Sequence, residues 1–164
     1  MTRPNILWLQ SDQHNPGFLG CAGEPLVRTP RLDALAAAGV RCADVTCGNP
    51  LCVPSRMTML TARHSSDIAV WTNECQLAGG AATFVHHLAN AGYQTVLCGR
   101  MHFTGPDQRR GYESRILGDV DPKLESIPAA TTGQTAAGVR PAGPGRTAYG
   151  AFDEAVTATA CRWL

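Results

Sequence analysis

Apolar positions are densest near the start of the chain. Asn5–Gln10 (NILWLQ) is an almost unbroken apolar run, the pattern of a strand buried on both faces. It stops at the polar cluster Ser11-Asp12-Gln13-His14-Asn15, followed by Pro16-Gly17. The period then changes. Thr29 stands as an N-cap before Pro30 at the first helical position, with Asp33 near the positive helix end. Leu32, Leu35 and Ala36 form an apolar face and Gly39 closes the helix. Val40–Val45 reads as a short strand, Gly48–Pro54 as a loop, and Ser55–Thr61 as a short helix. Phe84, Val85, Leu88 and Ala91 recur at helical spacing across Ala81–Ala91, ahead of Gly92. Thr95–Cys98 reads as a buried strand, and Gly99-Arg100-Met101-His102 lies at its end. Asp153–Leu164 is again helical, with acidic residues first and an apolar stripe of Ala155, Val156, Ala160 and Trp163.

Strands alternating with helices predict an α/β fold with a largely parallel sheet. Residues 127–146 are rich in Pro, Gly, Ala and Thr and read as a flexible connection. The expected organisation is therefore one part of a domain over 1–126, a connection over 127–148, and a helix of the same domain over 149–164. A final helix with an apolar stripe and no sequence after it to pack on predicts a truncated domain.

The 164 residues, 44% of them apolar, suffice for a packed core and exclude disorder. A formal net charge of +1 argues against nucleic acid as a partner. The apolar segment Ile6–Leu9 is too short for a signal peptide or a membrane span, so the expected setting is cytoplasmic, with no membrane partner. The seven cysteines are odd in number and contain no C-x-x-C, which argues against a zinc ribbon and against a dithiol redox protein. Most of them read as small core residues in a reducing compartment.

In open α/β sheets, ligands bind outside the carboxyl ends of strands. Here one such end offers Asp12, Gln13 and His14, and another offers Arg100 and His102. Between them, Cys52-Val53-Pro54-Ser55-Arg56 runs from loop into helix, where unpaired amides favour an anion. Asp12 and the amide oxygen of Gln13 suit a hard divalent cation. Arg56 and Arg100 suit the oxygens of a tetrahedral anion. His102 suits proton transfer, and position 52 an in-line attack. Each residue also has an ordinary structural use, the aspartate in a turn, the arginines at the surface and the histidine as a hydrogen-bonding group.

Cys52-Val53-Pro54-Ser55-Arg56-Met57-Thr58-Met59-Leu60-Thr61-Ala62-Arg63 resembles the signature of the formylglycine-dependent sulfatases, C-x-P-S-R-x-x-x-L-T-G-R, with Ala62 in place of the usual glycine. Arg3-Pro4-Asn5-Ile6-Leu7 leading to Asp12-Gln13 is similar to the family's opening strand and metal-binding acid. The Asp-Gln pair matches its choline-sulfatase and phosphonate monoester hydrolase branch. Gly92-Tyr93-Gln94-Thr95 with Gly99-Arg100-Met101-His102 resembles the family's G-Y-x-T…G-K-x-H segment, with Arg100 where lysine is usual. Gly105-Pro106-Asp107-Gln108 and Asp153-Glu154-Ala155-Val156 extend the likeness.

The resemblance implies an alkaline-phosphatase-like three-layer sandwich, of which this chain is the N-terminal part. It implies that Cys52 is converted to formylglycine by a modifying enzyme, and that Asp12, Gln13 and residue 52 hold a divalent metal, calcium in the first instance. It implies Arg56, Arg100 and His102 as catalytic residues, with His14 and Asn73 as weaker substrate-contacting candidates and a small sulfate ester as substrate. His64 is a candidate for a supporting position. His86 and His87 are expected to be exposed on their helix, and the six other cysteines to be structural. Oligomeric state is not legible. Relatives are several times longer, and their second metal-ligand pair and a further basic residue fall beyond position 164. The isolated chain is therefore expected to be weak or inactive. A phosphonate or phosphate ester hydrolase and a non-catalytic remnant are the alternatives.

Overall fold

Residues 3–119 and 147–164 are described by the computed structural model. Their contacts divide the chain into two units, Met1–Thr46 and Cys47–Leu164.

In the first unit a 3-10 turn, Gly20–Ala22, precedes helix α1, Pro30–Ala38, which has the expected N-cap Thr29 and C-cap Gly39. Thr29 does not cap a helix amide. Its hydroxyl donates to Asp33 Oδ1 (2.9 Å) and accepts from Gly20 N (2.8 Å), and Asp33 Oδ1 also accepts from Cys21 N (2.7 Å). These bonds stitch the helix start to the 3-10 turn. The two strands expected here do not form: Asn5–Gln10 and Val40–Val45 are irregular, with Leu9 75% and Val40 93% exposed. A strand exists through its ladder to a neighbour, and no described residue supplies one to either segment. Leu32 and Leu35 of α1 are likewise exposed, so the predicted apolar face is uncovered.

The second unit carries the core. Helix α2 spans Cys52–Thr61 and begins at Cys52 rather than at the expected Ser55. Pro54 falls in its first turn, where an amide has no intrahelical partner, so proline costs no hydrogen bond there. Helix α3, Ser65–Ile68, follows, then α4, Phe84–Asn90, whose N-cap is Thr83. Strand β1, Val96–Cys98, pairs in parallel with β2, Ser114–Leu117, as expected of an α/β fold, although β2 itself has no clear sequence pattern. Helix α5 spans Ala148–Trp163, beginning before the expected Asp153. Its N-cap Thr147 accepts from Gly150 N (3.0 Å).

Val53, Met57 and Leu60 of α2 pack with Val70, Leu77, Val85 of α4, Leu97 of β1, Met101 and Phe103. Helix α5 lies against β1 and β2, and its Val156 faces Gly99 at the end of β1. The predicted connection falls almost wholly on residues 120–146, outside the described residues. No helix among the described residues is long and apolar enough to cross a membrane.

All seven cysteines are free thiols. Cys42, Cys47 and Cys161 are exposed and the other four half-buried, so the expectation of cysteines as core residues fails. The core is filled instead by Val, Leu, Met, Ile and Phe.

Candidate active site

Position 52 is the first residue of α2 and is half-buried. The helix start above it is capped from a distance, since Val53 N donates to Asn73 Oδ1 (3.0 Å). Asn73, a candidate substrate contact, thus has its carbonyl oxygen engaged in holding the turn that presents position 52. One turn along the same helix face stands Arg56. Its side chain is buried, 4% exposed, and Nη1 donates to the backbone oxygen of Arg100 at 2.7 Å. A buried guanidinium needs such partners, and this one ties α2 to the segment after β1.

That segment is sharply turned. Gly99 has φ 95°, and His102 has φ 53°, a left-handed conformation unusual for a residue with a Cβ. Both Arg100 and His102 are half-buried, and Arg100 Nη2 donates to His102 Nδ1 at 3.4 Å. Because guanidinium only donates, Nδ1 is the accepting nitrogen. The sequence-predicted set Cys52, Arg56, Arg100 and His102 is therefore one connected arrangement within the second unit, with Asn73 at its helix start.

Two residues of this arrangement were not anticipated. Asp119 Oδ1 accepts from the consecutive amides of Met101 (2.8 Å) and His102 (3.2 Å). Asp119 Oδ2 pairs with Arg115 at 2.9 Å. Neither residue lies in a recognisable motif, and a carboxylate reaching back to amides 17 and 18 positions away leaves no local signal. Asp107 shows the same geometry, Oδ1 accepting from Arg109 N and Arg110 N at 3.0 Å each. The Arg110 amide holds the Asp107 carboxyl below the usual carboxylate range. Burial pushes the Cys98 thiol up from its ordinary value.

His86 departs from expectation. It is half-buried, and its Nδ1 accepts from Thr83 N (3.1 Å) in a capping box in which histidine takes the place of the usual Glu or Gln. His87 is exposed as expected. His64 is exposed at the start of α3 and makes no side-chain cap bond.

Asp12, Gln13 and His14 belong to the first unit and are exposed. Gln13 has φ 55°. His14 Nε2 lies 3.2 Å from Phe18 O, so this ring caps its own loop. As donors, the Asp12 carboxylate and the Gln13 amide oxygen fit a hard divalent cation and not a soft one. Among the described residues no three His, Cys, Asp or Glu side chains gather into a metal-holding group.

Known proteins give this geometry a context. The sulfatase family model matches residues 4–163. A choline-sulfatase of Rhizobium meliloti (strain 1021) is 36% identical over 120 residues, which is 73% of this chain and 23% of that protein. The structure of BT4656 in complex with its substrate D-glucosamine-2-N,6-O-disulfate matches with a TM-score of 0.65 and 32% identity, over 70% of this chain and 23% of that one. Phosphonate monoester hydrolase of Agrobacterium radiobacter shares the fold, with a TM-score of 0.72 at 22% identity, over 98% of this chain and 38% of that one. The chain thus spans about a quarter of the length of the curated relatives it matches. Its α/β fold is that of the alkaline-phosphatase-like sulfatases, and by the extent of the family match and the placement of Cys52 and Arg56 on one helix, the chain belongs to the sulfatase family.

Proposed function

We propose that this chain carries the nucleophile and oxyanion half of a sulfuric ester hydrolase, with Cys52 converted to formylglycine. The observation that carries this reading is the continuous link from position 52 through Arg56 to Arg100 and His102. Hydrated formylglycine would supply two hydroxyls on one carbon, one to attack sulfur and one to expel sulfate afterwards. Asp12 and Gln13 are oxygen donors that would suit a hard divalent cation such as calcium, which would supply positive charge to the reaction.

The chain's own residues do the rest. In the first turn of α2 the Val53 amide is taken by Asn73, the Ser55 amide by Leu51 O, and Pro54 has none, so the turn offers an anion at position 52 chiefly its positive helix end. Arg56, its side chain anchored on Arg100 O, and Arg100, in contact with His102, would supply two positive charges to the sulfuryl oxygens as these gain charge. With Nδ1 accepting from Arg100, neutral His102 presents an Nε2 N–H that would donate a hydrogen bond to a sulfuryl or departing oxygen. Arg100 in place of lysine keeps the charge but spreads it over a planar fork.

Among the described residues Asp12 and Gln13 are the candidate oxygen donors, fewer than the six or more oxygens usual for calcium, so the 164-residue segment by itself is expected to turn over weakly or not at all. The test uses a longer form that contains this segment. An aryl sulfate is expected to give the higher kcat/KM against a phosphonate monoester, and Cys52→Ala to abolish turnover while Cys161→Ala leaves it unchanged. Preference for the phosphonate monoester would reassign the site to phosphonate or phosphate ester hydrolysis. Equal losses from the two cysteine variants would show that the thiols serve folding.

A further inference from the structure

We propose that Asp119, braced by Arg115, is a positioning residue for this site: it holds the turn 99–102 so that Arg100 and His102 meet. The proposal deepens the reading of that turn as part of the sulfuryl-binding site and rests on it.

Side chains hold the turn at four backbone points, and Gly99 N also donates to Leu117 O at 3.0 Å. Arg115 Nη2 donates to Gly99 O at 3.5 Å, and Arg56 Nη1 to Arg100 O at 2.7 Å. Asp119 Oδ1 accepts from Met101 N and His102 N. Arg115 is itself fixed. Nη1 donates to Gln108 O (3.3 Å) and Oε1 (3.1 Å), and the guanidinium lies 5.8 Å from the centre of the Phe103 ring. The consequence falls on His102, whose φ of 53° a residue with a Cβ adopts only when its surroundings impose it. Two adjacent amides directed at one carboxylate oxygen are such an imposition.

Among the described residues the same device recurs once. Asp107 accepts from Arg109 N and Arg110 N, and Arg110 has φ 47°. There the left-handed residue is buried and bonds to the carbonyls of Ala78 and Thr104, so it serves packing. At Asp119 the left-handed residue carries a half-buried imidazole in contact with Arg100. The carboxylate therefore sets a site side chain without touching substrate.

The experiment is an NMR titration of the His102 ring in the full 164-residue chain. Charge and geometry make opposite predictions, which separates them. Loss of the Asp119 charge alone lowers the His102 pKa, whereas release of the turn moves the Arg100 cation away and raises it. Asp119→Asn removes the charge and keeps an oxygen for the two amides. Asp119→Ala removes both. The Ala variant is expected to titrate above the Asn variant by about half a unit or more. Asp119→Glu, which keeps the charge and displaces the carboxylate, is expected to raise the pKa above that of the unaltered chain, and this variant carries the test if Asp119→Ala does not fold. Asp107→Ala is expected to leave His102 unchanged. Identical titration of the Ala and Asn variants, or of the Glu variant and the unaltered chain, would overturn the proposal. Inorganic sulfate added to the unaltered chain tests the underlying site separately. If it shifts no signal of Arg56, Arg100 or His102, the oxyanion reading fails, whatever the Asp119 variants do.

Discussion

At the scale of single residues, Ala62 is the most informative departure from the family signature. It is the C-cap of α2, with φ 53° and ψ 33°. That left-handed position explains why glycine is usual there: a Cβ crowds the following carbonyl, at a cost of about 1–2 kcal/mol. Ala62→Gly is expected to stabilise the chain by about 1 kcal/mol in urea denaturation, and a loss of stability would refute the assignment of strain. Cys52 and Arg56 were legible because both fall in one continuous twelve-residue stretch, Cys52–Arg63, which needs no tertiary knowledge. His86 was not, because a capping box is ordinarily recognised by Glu or Gln at that position. The capping role of Asn73, and Asp119 altogether, were opaque for another reason. Each side chain accepts from an amide of a segment well removed along the chain, and such a pairing writes no pattern around either residue.

At the scale of elements, α1 was read correctly at both ends because Thr29, Pro30 and Gly39 are strong local signals. The start of α2 was misjudged because Pro50 and Pro54 read as loop, although a first helical turn accommodates Pro54 without loss. Strand β1 was recognised, while β2, Ser114-Arg115-Ile116-Leu117, mixes apolar residues with a cation and offers no alternation. Asn5–Gln10 errs in the opposite sense, with a strand pattern and no ladder among the described residues. The junction of β1 with α5 tests how these elements are joined. A Cβ on Gly99 would meet Val156 Cγ1 at 3.1 Å, and the residue already stands at φ 95°. Gly99→Ala is expected to cost about 2 kcal/mol or more through backbone strain and overpacking. It should also lower the hydrogen-exchange protection of α5. Unchanged stability and protection would mean that Val156 does not seal against this turn.

At the scale of the whole molecule, burial is unequal between the two units. Every fully buried residue among those described lies in Cys47–Leu164, and none lies in Met1–Thr46. Stability is therefore expected to track the second unit. Leu60→Ala should cost about 2–5 kcal/mol, and Leu9→Ser should stay within about 0.5 kcal/mol. Comparable losses in denaturation would show that Asn5–Gln10 is packed after all. The fold class was legible from alternating strand and helix patterns, but the site was legible only where its residues share a helix or a strand end. What binds the parts of that site together, the Arg56 bond to Arg100 O and the Asp119 cradle, is tertiary. The central claim concerns position 52, and mass spectrometry of the tryptic peptide 42–56 tests it most directly. After co-expression with a formylglycine-generating enzyme, residue 52 is expected to have lost its sulfur and two hydrogens and gained one oxygen. An unaltered thiol at Cys52 throughout the purified protein would contradict the account.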